Sequence, residues 1–173
     1  PLPTKKHSTP RLLDESERLI DILGRLSVAE VASLMTLSDD LAALNAQRYA
    51  DFHTPFAPPD ARPAVLAMDG DVYRGLDARS WGERDFTEAQ KTVRILSGLY
   101  GVLRPLDLML PYRLEMGTRL ATDRGTTLYD FWDGRITDLL RADLADSPGA
   151  AVVVNLASDE YARSVRFDAL DAR

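Results

Sequence analysis

RILSGLYGVLRPLDLMLPYRLEMG, residues 94–117, is an apolar run punctuated by glycine and proline, and the way its backbone bends sets the place of everything around it. Val93, Leu96 and Leu99, with Ile95 and Leu103 nearby, approach the three-to-four spacing of a buried helical stripe. Gly98 and Gly101 then bracket Leu99 and Tyr100, and Pro105 follows Arg104, so the chain must turn while apolar side chains still demand burial. Two readings of the glycines stand side by side. They let two backbones approach closely, or they expose N–H groups in a concavity that suits phosphate oxygens. Local charge accompanies the second reading: Lys91, Arg94, Arg104, Arg113 and Arg119 face only Asp107 and Glu115 between residues 91 and 119, in a chain of net charge −6.

Outward from this stretch, the pattern predicts helices over residues 11–26, 28–35 and 39–51 as scaffold. Ser27 and Glu30 form a capping box for the second, and Ser38 caps the third. Ala64–Met68 reads as a short strand with an irregular continuation through Tyr73. Asp85 caps a helix from Phe86 to about Leu99 that leads into the glycine turn. Residues 111–116 alternate as a strand, with Tyr112, Leu114 and Met116 on one face and Arg113 and Glu115 on the other. Thr126 or Thr127 opens a helix to about Asp146. The apolar run Ala150–Leu156 is the most strand-like segment and reads as a central strand covered on both faces. Ser158 starts a short helix. The fold class is α+β (mixed α/β), a central sheet wrapped by helices in one domain, and the sheet is expected to need strands from outside residues 1–173.

Composition removes several classes of function. With no cysteine and only His7 and His53, thiolate metal sites and disulfides are excluded, and no metal or cofactor is expected. No apolar run approaches the roughly 20 residues that span a bilayer, so a soluble, cytoplasmic protein is expected. A pI near 4.9 makes any nucleic-acid binding local rather than general.

Three stretches carry candidate chemistry. In the first, the amides of Gly98, Leu99, Tyr100 and Gly101 with Lys91, Arg94 and Arg104 would grip DNA phosphates without reading bases. In the second, Arg113 would clamp phosphate or carboxylate, or simply pair with Glu115. The third is Asn155, Ser158, Asp159, Glu160 and Tyr161, where a buried strand hands over to a helix. That handover is a place where open α/β sheets hold ligands, and also one where Ser158 merely caps and the acids merely complement the helix dipole. Trp132 with Phe131 reads as core, and Trp81 as a loop anchor.

Taken in order, GDVYRGL (70–76), LSGLYGVLRPLDLMLPYRLEMGTRL (96–120), LYDFWDGRIT (128–137) and VVNLASDEYARSV (153–165) closely resemble the YaaA family of bacterial peroxide-stress proteins. The resemblance spans the chain. It implies a cytoplasmic protein of unusual mixed fold, with a helix-hairpin-helix element and a positively charged cleft that binds double-stranded DNA, linked to protection from peroxide by limiting iron-driven damage. The helix-hairpin-helix would fall on residues 96–105. Family members usually begin with a short strand and a Ser-Pro-Ala-Lys-Thr-Leu segment and end with a Lys- and Arg-rich region, neither of which is present here. They usually carry Lys where Arg163 stands, which keeps the charge but changes its geometry.

The expectation is thus a DNA-binding stress protein of little sequence specificity, with Arg104, Arg113 and Arg163 lining one groove. The alternative is an enzyme acting on a nucleotide or nucleic acid, with Arg113 beside Ser158, Asp159 and Glu160. Iron held by carboxylates is a third, weaker option.

Overall fold

The structure, a computed structural model, describes residues 2–172. Its N-terminal third follows the sequence pattern closely. Helices α1 (Leu13–Leu23), α2 (Val28–Met35) and α3 (Asp39–Ala50) form the scaffold, and the capping box of α2 is complete. The Ser27 hydroxyl accepts from the Glu30 N–H at 3.3 Å, while Glu30 accepts from the Ser27 N–H at 2.8 Å. Ser38 sits at the N-cap of α3, but its side chain makes no capping hydrogen bond.

The middle of the chain departs from expectation. Ala64–Met68 is not a strand: a two-residue strand β1 (Arg62–Pro63) leads into the single helical turn α4 (Ala64–Ala67). Residues 71–76 form a further short helix, α5 (Asp71–Leu76), followed by a 3₁₀ turn at Ala78–Ser80. Helix α6 (Glu83–Thr92) starts earlier than expected and stops at Val93, whose backbone is extended. Asp85 supports its start, accepting from the Gly82 N–H at 2.9 Å.

The glycine-punctuated stretch is therefore a β-hairpin and not a helix-hairpin-helix. Strands β2 (Ile95–Ser97) and β3 (Gly101–Leu103) pair antiparallel, with Ile95 opposite Leu103 and Ser97 opposite Gly101. The helical spacing misled because these residues are almost continuously buried, and a short apolar run covered on both sides has no diagnostic period. Strand β4 (Leu108–Met109) pairs antiparallel with β1. The expected central sheet thus exists, among the described residues, as two separate two-stranded ribbons.

Residues 111–116 keep the predicted alternation without strand pairing. Leu114 and Met116 are buried, while Arg113 and Glu115 point outward. The long C-terminal helix breaks into α7 (Leu128–Trp132) and α8 (Arg135–Ala145) at Asp133, which has φ +44°. The run 150–156 forms neither helix nor strand and pairs with no strand among the described residues. Val152, Val154 and Leu156 are 53, 74 and 84% exposed, so the reading of a strand covered on both faces is not met in this structure. Helix α9 (Asp159–Ala162) follows, with Ser158 at its N-cap.

Trp132, Tyr100, Phe86 and Phe131 anchor the core and are fully buried. Trp81 packs edge-on against Phe86 with ring centroids 5.4 Å apart. The Trp132 indole N–H donates to the Gly98 carbonyl at 2.9 Å, which locks the hairpin turn to α7.

Candidate functional site: an arginine-rimmed, tyrosine-walled cleft

The hairpin turn presents nothing to a ligand. Gly98, Leu99, Tyr100 and Gly101 are all buried, and the Tyr100 N–H is taken by the Ser97 hydroxyl at 2.9 Å. A Cβ on Gly98 would lie 2.1 Å from the Leu114 carbonyl oxygen, and one on Gly101 would lie 2.8 Å from the Trp132 ring. Close approach of backbone and ring is thus what these glycines serve. Arg94 donates to Asp143 at 2.5 Å, and Arg11 grips the same carboxylate with both terminal nitrogens at 2.6 and 2.8 Å. Burial works to raise the Asp143 carboxyl, but the hydrogen bonds from Arg11 and Arg94 outweigh it and hold it below the ordinary value. Arg104 is consumed by Asp107, which is fully buried, and by the Thr9 carbonyl. Lys91 pairs with Glu88 on the exposed face of α6, and the Arg163 guanidinium stacks 4.9 Å from the centre of the Tyr129 ring.

The cations that converge come from elsewhere. A cleft of about 990 Å³ opens between α3, β1, α5 and the 111–116 segment, and its lining includes Arg48, Arg62, Arg74, Arg79 and Arg113. Each arrives from a different element. Arg48 is in the last turn of α3, and Arg62 is held in β1 opposite Met109 of β4. Arg74 lies on α5 and Arg79 on the 3₁₀ turn. Arg113 is fixed through its carbonyl, which accepts a hydrogen bond from the Tyr49 hydroxyl. Of the arginines expected to share one groove, only Arg113 lines this cleft; Arg104 and Arg163 do not.

Four carboxylates, Asp60, Asp69, Asp77 and Glu115, sit among these arginines. Arg74 pairs with Asp71 at 2.6 Å and Arg113 with Glu115 at 2.8 Å, both in the open. Among the described residues, Arg62 and Arg79 make no side-chain hydrogen bond or ion pair. Exposed pairs are worth about 0–1 kcal/mol, so an incoming phosphate can displace them. Removing one partner of a buried pair such as Arg94–Asp143, by contrast, costs about 3–5 kcal/mol. That difference moves the available positive charge from the hairpin to the cleft.

Three tyrosines, Tyr73 from α5, Tyr112, and Tyr161 from α9, share the lining with aliphatic side chains such as Val65, Leu66, Met68 and Met109. Tyr112 is oriented by a 2.6 Å hydrogen bond with the Ser97 hydroxyl and packs edge-on against Tyr100. Burial pushes the Tyr161 hydroxyl up to about 12 and raises Tyr73 and Tyr112 as well. All three therefore stay protonated at neutral pH as neutral rings with a donor at the tip.

The remaining candidates do not gather into a second pocket. Tyr161 belongs to the cleft, whereas Glu160 turns away to accept from the Gly117 N–H at 2.7 Å. Asn155 accepts from the Ala157 N–H, and the Ser158 carbonyl accepts from the Ala162 N–H as an ordinary helix start. Asp159 is exposed in the first turn of α9. No group of three or more His, Asp or Glu among the described residues is placed to hold a metal ion. No described helix is long and apolar enough to cross a membrane.

Arg48, Arg62, Arg74 and Arg79 escaped the sequence reading because they share no period and are interleaved with aspartates. The signal available was the GDVYRGL motif, which contains Tyr73 and Arg74.

Residues 1–173 match the family described as peroxide stress protein YaaA. UPF0246 proteins of Burkholderia mallei strain SAVP1 and Burkholderia pseudomallei strain K96243 are each 55% identical to the chain over 168 residues, covering 96% of it. The chain spans 65% of the length of these relatives.

Proposed function

Because the chain belongs to the YaaA family of peroxide stress proteins, we propose that it contributes a DNA-binding surface to a stress-response protein, with the arginine-rimmed cleft as the grip. The observation that carries this reading is the convergence of five arginines from separate elements on one concavity of a chain whose net charge is −6. Arginine suits the task because its planar fork can bind phosphate through two parallel hydrogen bonds. Arginine contacts to phosphate position a duplex without reading its bases, so this grip favours the sugar–phosphate backbone over sequence.

Binding of this kind is tested by its salt dependence. Affinity of the chain for a fluorescent duplex, measured by anisotropy over a range of salt concentrations, is expected to fall linearly on logarithmic axes. The slope is about 0.9 per phosphate neutralised. Arg62→Ala with Arg79→Ala should flatten the slope by roughly 2 units if each holds one phosphate. An unaltered slope in a folded double variant refutes the assignment.

A further inference from the structure

We propose that the cleft is a nucleotide subsite, taking a single nucleoside phosphate with its base against Tyr73 and Tyr161 and its phosphate at Arg62 and Arg79. This deepens the DNA-binding reading and rests on it for the identity of the polyanion. The size of the cleft is the first argument. About 990 Å³ lies at the upper end of small-molecule and cofactor sites, which run from about 300 to 1,000 Å³. One or two nucleotides fit inside such a volume. A duplex, which brings paired nucleotides on two strands at every step, exceeds that volume and can only lie across the mouth.

The second argument is the sign pattern. A surface evolved only to follow a phosphate track would exclude carboxylates, since each one repels the backbone it must hold. Here Asp60 and Asp77 share the lining with the arginines. Carboxylates accept hydrogen bonds from the amino groups on base edges, so mixed charge is what a base and its phosphate together require.

The third argument is the wall. Tyr73 and Tyr161 are half-buried, uncharged and mounted on separate elements, α5 and α9, so two aromatic side chains from different parts of the fold line the cleft where a base can stack. Stacking of this type tolerates any base, because every base has a π-face.

The same chemistry has two sources, an unpaired nucleotide within a strand or a free nucleoside monophosphate, and the test separates them. Deoxyadenosine 5′-monophosphate and deoxyribose 5-phosphate are titrated into the chain by calorimetry. A single-stranded trinucleotide and its counterpart lacking the central base are then titrated in the same way. In at least one of the two pairs the base-bearing ligand is expected to bind about tenfold or more tighter than its base-free partner. A preference in the trinucleotide pair alone assigns the subsite to unpaired DNA; a preference in both pairs extends it to the free nucleotide. Tyr73→Ala should erase the ratio and Tyr73→Phe should keep it. Equal affinities within both pairs, or a ratio that survives in folded Tyr73→Ala, overturns the proposal. Should Tyr73→Ala fail to fold, the comparison of base-bearing and base-free ligands on the unsubstituted chain decides alone. A salt-dependent grip on duplex without any base preference removes the subsite and leaves the DNA reading intact. Base-dependent nucleotide binding without duplex affinity removes the DNA reading and leaves the subsite.

Discussion

Gly98 shows most plainly how a single residue constrains this fold. Its carbonyl receives the Trp132 indole N–H, and its α-carbon lies so close to the Leu114 backbone that no side chain fits. Both contacting groups are main chain or core, so neither can yield. Gly98→Ala is expected to destabilise the chain by about 3 kcal/mol or more, seen as a large drop in the thermal midpoint or as insoluble expression. A midpoint within a degree of the parent would contradict the close approach.

Asp143 is the second decisive residue, because it neutralises Arg11 and Arg94 in a site where all three side chains are at least three-quarters buried. Asp143→Asn leaves two guanidinium groups facing one amide, a loss on the order of 3 kcal/mol in urea unfolding at neutral pH. The sign of the pH dependence follows from the direction of the shift. The folded carboxyl titrates below its unfolded value of about 3.9, so the unfolded state takes up protons first as the solution is acidified. The stabilisation is present above that value and disappears as pH falls through the folded one. The Asn variant should therefore lose less stability than the parent between about pH 5 and pH 2. Glu15 acts in the same direction, chiefly through the Arg124 hydrogen bonds, and its contribution remains in the variant.

At the scale of elements, capping separates two helices that look alike in sequence. Ser27 closes a full capping box on α2, whereas Ser38 makes no capping hydrogen bond to α3. Ser27→Ala should cost about 1 kcal/mol and Ser38→Ala only a few tenths in denaturant titrations. Similar losses at the two sites would show that the difference in geometry has no energetic weight. The elements most legible in the sequence were those with a punctuated boundary: α1 to α3, and α9 after Ser158. The hairpin β2–β3 was not legible as such. Gly98 and Gly101 announced a turn, but whether helices or strands flanked it depended on what covered Ile95, Leu96 and Val102, and local spacing does not contain that information. The α7–α8 break had the same origin, since one apolar stripe ran through Asp133 and Gly134 without interruption.

For the whole molecule, the useful division is between cations bound internally and cations free to meet a partner. Arg94 and Arg104 stand out in sequence because they flank the glycines, yet Arg94 neutralises the largely buried Asp143 and Arg104 the fully buried Asp107. Arg62 and Arg79 belong to no motif in the sequence and lie exposed on the cleft. Arg94→Ala should therefore lower the unfolding midpoint and leave the salt slope of DNA binding unchanged. Arg62→Ala should leave the midpoint within about 0.5 kcal/mol of the parent and reduce the slope. The reverse pattern, with stability lost at Arg62 and binding lost at Arg94, would return the grip to the hairpin.

Family membership, the α+β class, the N-terminal helices, the alternation of residues 111–116 and the tightness of the glycine turn all follow from order and spacing along the chain, because each depends on neighbours a few residues apart or on long motifs. Which arginines are spoken for, and that residues 48, 62, 74, 79 and 113 meet across one cleft, came only with the tertiary structure. Pairing and desolvation are set by residues distant in sequence, such as Asp143 against Arg11 and Arg94, and no local pattern records which distant carboxylate a guanidinium will find.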